Sequence, residues 1–375
     1  MRRWIAAALV LCMLAVPCFA QEGEAPLQAP SAVLMTMDGQ VLLEKDAHTP
    51  REPASVTKVM TMLLVCEAID EGRLSLEDPV TATAHAASMG GSQIWLEEGE
   101  VLTVGEMLKC VAVVSANDCA VALGEHLAGS EAAFVARMNE RAAQLGMENT
   151  TFINACGLTA SGHMTSAYDI GLMSAKLMGE HPWIREYTTL WQDSIRQGAS
   201  VLNNTNKLLK SYAGITGLKT GYTSSAGYCV SATAEREGLH LIAVVMGGET
   251  SASRNGDAAA LLNWGFANYA AVTLGADRPL LPLSVEMGKQ DSVALELGES
   301  LPRTLPRADL NRLEKTLELP ERIHAPVEAG QQVGDLVVRL DGTEVCRVPV
   351  LAAESVQRLG IWDVFAMIFA CLCAR

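Results

Sequence analysis

The chain has 375 residues, 49% of them apolar and 19% charged, which is too apolar for a disordered chain and long enough for one large domain and a small one. Its formal charge of −15 argues against nucleic acid as a partner, because nothing in the sequence would neutralise a phosphate backbone, but it leaves room for a local basic site for an anionic ligand.

In chain order, Arg2 and Arg3 precede an apolar run from Trp4 to Pro17, and Cys18-Phe19-Ala20 offers small residues before a cleavage point. This pattern predicts a signal peptide over residues 1–20. Its removal takes the formal charge from −15 to −17 and places the mature protein outside the cytoplasm. A polar linker follows over residues 21–30. Ala32–Met37 and Val41–Glu44, separated by Asp38-Gly39, read as a β-hairpin. The periodic stretch Val56–Ile69 reads as a helix closed by Gly72. A second helical region from Val104 to Leu127 breaks near Ser115–Asn117, and further helices are expected over Glu131–Leu145 and Ser166–Met178. Residues 227–234 and 239–247 read as two strands around a Glu-Arg-Glu-Gly turn, with a helix over Asp257–Phe266. Strands, helices, then strands imply an α+β fold, an antiparallel sheet closed by strands distant in sequence with helices packed on it, spanning residues 31–272.

After Tyr269 the character changes. Prolines punctuate short alternating runs, and Asp341-Gly342 marks another hairpin turn, which predicts a small C-terminal all-β domain over residues 275–352. The final segment, 354–375, carries the apolar run Leu359–Ala374 and reads as a terminal hydrophobic, membrane-anchoring helix. Its sixteen residues give about 24 Å of helix against a bilayer core of roughly 30 Å, so spanning and lying in the interface both stay open. Of the ten cysteines, two leave with the signal, and the other eight read as buried free thiols. No H-E-x-x-H and no Cys/His cluster occurs, so neither a metal nor an organic cofactor is expected.

Three short motifs carry the chemistry. Ser55-Val-Thr-Lys58 sits where a Pro-Ala turn enters a helix, and the i, i+3 spacing puts hydroxyl and amine on one face. A serine hydroxyl is a poor nucleophile until a base takes its proton, and a lysine serves as that base only when burial or a nearby cation keeps it neutral. The helix start also aims backbone N–H groups at a developing oxyanion. Ser115-Ala116-Asn117 is a polar interruption in an Ala/Val-rich helical stretch, and Lys219-Thr220-Gly221 leads into the apolar strand pair. Each motif alone has a structural explanation, as a helix cap, a helix–helix hydrogen bond or an edge-strand lysine. Together and in order they form the S-x-x-K, S-x-N, K-T-G set of penicillin-recognising serine enzymes.

On these motifs the chain resembles the D-alanyl-D-alanine carboxypeptidases, the low-molecular-mass penicillin-binding proteins. The resemblance extends to Asn149–Asn154, Gly157-Leu158, His163–Ala167 with Asp169, Gly247-Gly248 with Arg254, and the Ala258–Phe266 helix. It implies a β-lactamase/transpeptidase-like catalytic domain in which Ser55 is acylated by a peptidoglycan stem peptide, Lys58 takes its proton, and Ser115 relays a proton. It further implies that Asn117 holds the substrate backbone, that Lys219, Thr220 and Arg254 bind the terminal carboxylate, and that the backbone N–H groups of Ser55 and Tyr222 form the oxyanion hole. β-Lactam antibiotics are the implied covalent inhibitors, and the outer face of the cytoplasmic membrane the implied location. Thr150-Thr-Phe152 and Ala155-Cys156 depart from the family pattern beside Asn154. His163 is expected to be a loop hydrogen-bond partner. A D,D-endopeptidase uses the same residues. A class A β-lactamase needs an E-x-x-L-N loop that is absent between Asn117 and Lys219, and a non-catalytic sensor does not require an intact nucleophile and base.

Overall fold

The computed structural model describes residues 27–276, 278–299 and 302–373; the expected signal peptide lies outside them. The chain divides into two compact units. One runs to Glu235 and resumes over His240–Gly265; the other comprises Arg236–Leu239 and everything from Phe266 onward.

The first unit is built on a five-stranded sheet. The hairpin β1 (Ser31–Thr36) and β2 (Val41–Lys45) turns at Gly39, whose φ of +86° needs glycine. A 3₁₀ turn over Ala54–Thr57 leads into α1 (Lys58–Asp70). The Val104–Leu127 region is two helices, α2 (Val104–Val113) and α3 (Asn117–Ala128). Helix α2 opens on a capping box between Thr103 and Glu106. Helices α4 (Glu131–Gln144) and α5 (Ala167–Glu180) follow, each with a serine N-cap. Then come β3 (Ile215–Thr223), β4 (Gly227–Arg236), β5 (Leu239–Gly248) and α6 (Ser251–Asn268).

The sheet order is β2-β1-β5-β4-β3. Strand β1 pairs antiparallel with β5, Ser31 opposite Met246, which closes the sheet across more than two hundred residues. Helix α1 is buried almost all round, as its apolar sequence requires, and packs against α2, α3, α4 and α5. Gly171 lets α5 approach the sheet, because a Cβ there would sit 2.4 Å from the sulfur of Met35.

Sequence and structure differ in three places here. Helix α6 starts at Ser251 rather than Asp257, since Thr250 and Ser253 cap its first turn through reciprocal hydrogen bonds. Lys219-Thr220-Gly221 lies within a nine-residue edge strand and not at its entry. Two short strand pairs, Pro79–Thr81 with Val101–Thr103 and Gln192–Ile195 with Ser200–Asn203, lack the length to show in the apolar pattern.

In the second unit, a four-stranded antiparallel sheet takes the order β6-β9-β8-β7, from β6 (Leu295–Leu297), β7 (Leu313–Glu318), β8 (Gln332–Leu340) and β9 (Thr343–Ala352). Asp341-Gly342 is a two-residue turn with φ of +48° and +81°, as an Asp-Gly hairpin requires. Leu336, Val338, Val348 and Val350 form its core. The chain ends in α7 (Ile361–Cys373), thirteen residues and about 20 Å long. No helix among the described residues is long and apolar enough to cross a membrane, which corrects the spanning form of the terminal-helix expectation: thirteen helical residues fall short of the roughly 30 Å of a bilayer core. All six cysteines with described side chains are free, and five of them are buried.

Candidate active site

Ser55 sits in the 3₁₀ turn, after an alanine forced into the left-handed region (Ala54, φ +48°). A non-glycine residue held there stores strain that the surroundings must support. Those surroundings are specific. Thr57 Oγ1 donates to the carbonyl of Ala54 at 2.8 Å. His163 Nδ1 accepts the N–H of Ile153 at 3.1 Å, so its proton lies on Nε2, which donates to Thr57 Oγ1 at 2.8 Å. Burial lowers the His163 pKa to about 4, and the ring is a neutral strut under the serine turn, the loop role expected of it.

Lys58 is fully buried, and its Nζ lies 2.9 Å from Ser55 Oγ, 2.6 Å from Asn117 Oδ1 and 2.6 Å from the carbonyl oxygen of Cys156. Burial lowers its pKa to about 8, against the opposing pull of Cys156, Asp118 and Cys119. The Cys156 carbonyl is delivered by a loop folded around Asn154, whose Oδ1 accepts the N–H groups of Cys156, Gly157 and Leu158. Gly157 is obligatory in that loop: φ is +83°, and a Cβ would fall 1.9 Å from the carbonyl oxygen of Ala54. Thus the 154–158 loop and the serine turn press directly together. The resemblance had pointed to Asn154 and Gly157; the part played by the Cys156 carbonyl has no sequence signal, because any residue supplies it.

Ser115 lies in the break between α2 and α3 at φ +65°, and its buried Oγ has no hydrogen-bond partner among the described residues. Asn117 opens α3. Its amide is committed within the protein, Oδ1 to Lys58 and Nδ2 to the carbonyl of Gly90 at 2.7 Å. Lys219 is also fully buried; burial first, then Lys58 and Arg254, push its pKa well down. Its Nζ donates to the Thr220 carbonyl at 2.9 Å, and Thr220 Oγ1 pairs with Thr205 Oγ1 at 2.7 Å. Gly221 lets β3 run against the serine turn, since a Cβ would come within 3.0 Å of the Ser55 nitrogen, and this sets the backbone of Tyr222 nearby. Arg254 is buried, with its donors on Asn255, Ser251 and the Cys229 carbonyl and its guanidinium over the Tyr228 ring. The structure therefore brings Ser55, Lys58 and Asn117 into hydrogen-bond contact and Lys219 into electrostatic range, while Arg254 contacts none of them directly.

A family model described as D-alanyl-D-alanine carboxypeptidase, peptidase S11, matches residues 19–250. The chain belongs to that family. A second model, the C-terminal domain of penicillin-binding protein 5, matches residues 273–358 of this peptidase. The D-alanyl-D-alanine carboxypeptidase DacF of Bacillus subtilis is 41% identical over 89% of this chain and 87% of its own length, and DacC of Escherichia coli is 33% identical over 98% and 96%. Among solved structures, penicillin-binding protein 5 of Haemophilus influenzae superposes with a TM-score of 0.71 at 30% identity, covering 90% of this chain and 99% of that one. Penicillin-binding protein D2 of Listeria monocytogenes in its ampicillin-bound form matches with a TM-score of 0.60 at 34% identity, covering 65% of this chain and all of that one.

Proposed function

We propose that this peptidase removes the terminal D-alanine from peptidoglycan stem peptides through an ester on Ser55, and that β-lactams acylate the same oxygen. The observation that carries the reading is the buried Lys58 amine, 2.9 Å from Ser55 Oγ and lowered to a pKa of about 8. At that value a substantial neutral fraction exists near neutral pH, which general-base work requires. Ser55 Oγ attacks the carbonyl of the penultimate D-alanine as its proton moves to Lys58 Nζ, and the backbone N–H groups of Ser55 and Tyr222 receive the oxyanion. The C–N bond then breaks, the leaving amine takes a proton by way of Ser115, and water hydrolyses the ester. The unpartnered Ser115 Oγ supports the relay, since both its proton and its lone pairs are free for substrate. Asn117 fixes Lys58. Lys219 and Thr220 take the substrate carboxylate, whose arrival favours the charged form of Lys219. Arg254 acts on that carboxylate at longer range, because its own donors are engaged.

The same reading covers the rest of the chain. Residues 1–20 are an export signal and 21–30 a linker, with a catalytic domain over 31–272 and a β-domain over 275–352. The segment 354–375 attaches the enzyme to the outer face of the membrane, and exposed Ile361, Trp362, Phe365 and Phe369 on α7 suit it to lie in the interface.

The test is release of free D-alanine by the mature chain from a peptide ending in D-Ala-D-Ala, with Ser55→Ala as control. Release that vanishes in the variant supports the reaction and the nucleophile together. A penicillin adduct on Ser55 without release moves the function to an endopeptidase or a sensor. Neither release nor adduct ends the reading.

A further inference from the structure

Asp118 follows Asn117 on α3, and its carboxylate is fully buried. Its Oδ2 accepts the N–H groups of Ile94 at 3.0 Å and Leu96 at 3.1 Å, and its Oδ1 accepts the N–H of Cys119 at 2.9 Å. Among the described residues no cation forms an ion pair with it. The two loop bonds extend a zipper that ends on the base. Asn117 donates its main-chain N–H to the Ser92 carbonyl and its Nδ2 to the Gly90 carbonyl, each at 2.7 Å, and its Oδ1 accepts from Lys58 Nζ at 2.6 Å. Residues 90–96 therefore lie along the head of α3, one residue from the amide that touches Lys58. Holding a loop by its N–H groups needs only a neutral acceptor, and taking a carboxylate out of water is costly. The charge is more than the loop requires.

We propose that Asp118 is a positioning residue for acylation, whose carboxylate both locks the 90–96 loop against Asn117 and supplies the negative charge that opposes the desolvation of the Lys58 ammonium. The inference rests on the reading of Lys58 as the base for Ser55. Four titratable groups face the Lys58 amine: Asp118 and Cys119 from α3, Cys156 from the 154–158 loop, and Lys219 from β3. Burial raises both thiols, so they are uncharged where Lys58 titrates, and Asp118 is the carboxylate of the set. An opposite charge nearby favours the ammonium and so strengthens the amine as a base. Burial by itself makes an amine a poor proton acceptor; Asp118 restores part of its basicity without a direct contact that would hold the proton in place.

The test is the pH profile of Ser55 acylation by a chromogenic β-lactam, in the mature wild-type chain and in Asp118→Asn. Both loop N–H groups sit on one carboxylate oxygen, so the asparagine amide oxygen can keep both bonds, and the variant removes the charge while sparing the loop. The bend in the profile is expected to move to lower pH by about one pH unit, the low end of what one nearby opposite charge does. A residue that only anchors the loop leaves the bend where the wild type has it, and that result overturns the proposal. In the wild-type protein the ¹³C resonance of the Asp118 carboxylate is expected to move with the same midpoint as the acylation bend, because it senses Lys58 losing its charge. A resonance that stays fixed across that range overturns the proposal even if Asp118→Asn does not fold. Absence of acylation in the wild type removes the reading of Lys58 and this inference together, whereas wild-type acylation with an unshifted bend in the variant removes only the role of Asp118.

Discussion

Lys58 in the first unit and Arg347 in the second are both cations ringed by acceptors, yet their surroundings act in opposite directions. Arg347, on the exposed face of β9, pairs with Glu344 at 2.8 Å, Glu318 at 3.0 Å and Asp335 at 3.2 Å, and its pKa is raised. Lys58 touches a hydroxyl, an amide and a carbonyl with no solvent exposure, and its pKa falls to about 8. Neutral acceptors in a dry site do not repay the lost hydration of an ammonium, whereas carboxylates in water hold a cation charged. Reactivity follows the exclusion of water and not the number of contacts.

The largest way to break this contrast is at the nucleophile: Ser55→Ala is expected to abolish both D-alanine release and penicillin adduct formation, read by mass spectrometry. Next, Lys58→Met leaves Ser55 without its base and is expected to slow acylation by about 10²–10⁴-fold, measured with a chromogenic β-lactam. A smaller effect separates the two regions by backbone alone. Gly157→Ala and Gly342→Ala both place a side chain at positive φ, but only at Gly157 does the new Cβ collide, with the carbonyl that precedes Ser55. Gly157→Ala is expected to cost more than about 1 kcal/mol of stability and to lower acylation, while Gly342→Ala costs roughly 1 kcal/mol and leaves acylation unchanged, by thermal melts and the same kinetics. The smallest effect is Arg347→Ala. Its network lies in water, so D-alanine release should stay at the wild-type rate, with a melting midpoint near wild type and nearer still in high salt.

The same contrast governs what could be read from the sequence. The long elements were legible because aliphatic periodicity and caps mark them: α1, the break at Ser115 and the β4–β5 pair all fall where the pattern places them. The three motifs were legible because Ser, Lys and Asn interrupt apolar runs. What stayed hidden is carried by backbone or by long-range approach. The Cys156 carbonyl on Lys58, the Gly221 contact with the Ser55 turn, and the engagement of Arg254 by its own helix leave no side-chain pattern. Short strand pairs such as Gln192–Ile195 with Ser200–Asn203 rest on tertiary context, not on a pattern of their own.

In the proposed reaction, desolvation makes Lys58 the base. The most direct measurement is the pH dependence of the Ser55 acylation rate. Only the neutral amine accepts the proton, so the rate should rise by about tenfold per pH unit below the Lys58 pKa and level off above it. The bend is expected at about 8. A rate still climbing toward the ordinary lysine value of 10.5, or one flat across the neutral range, would contradict it.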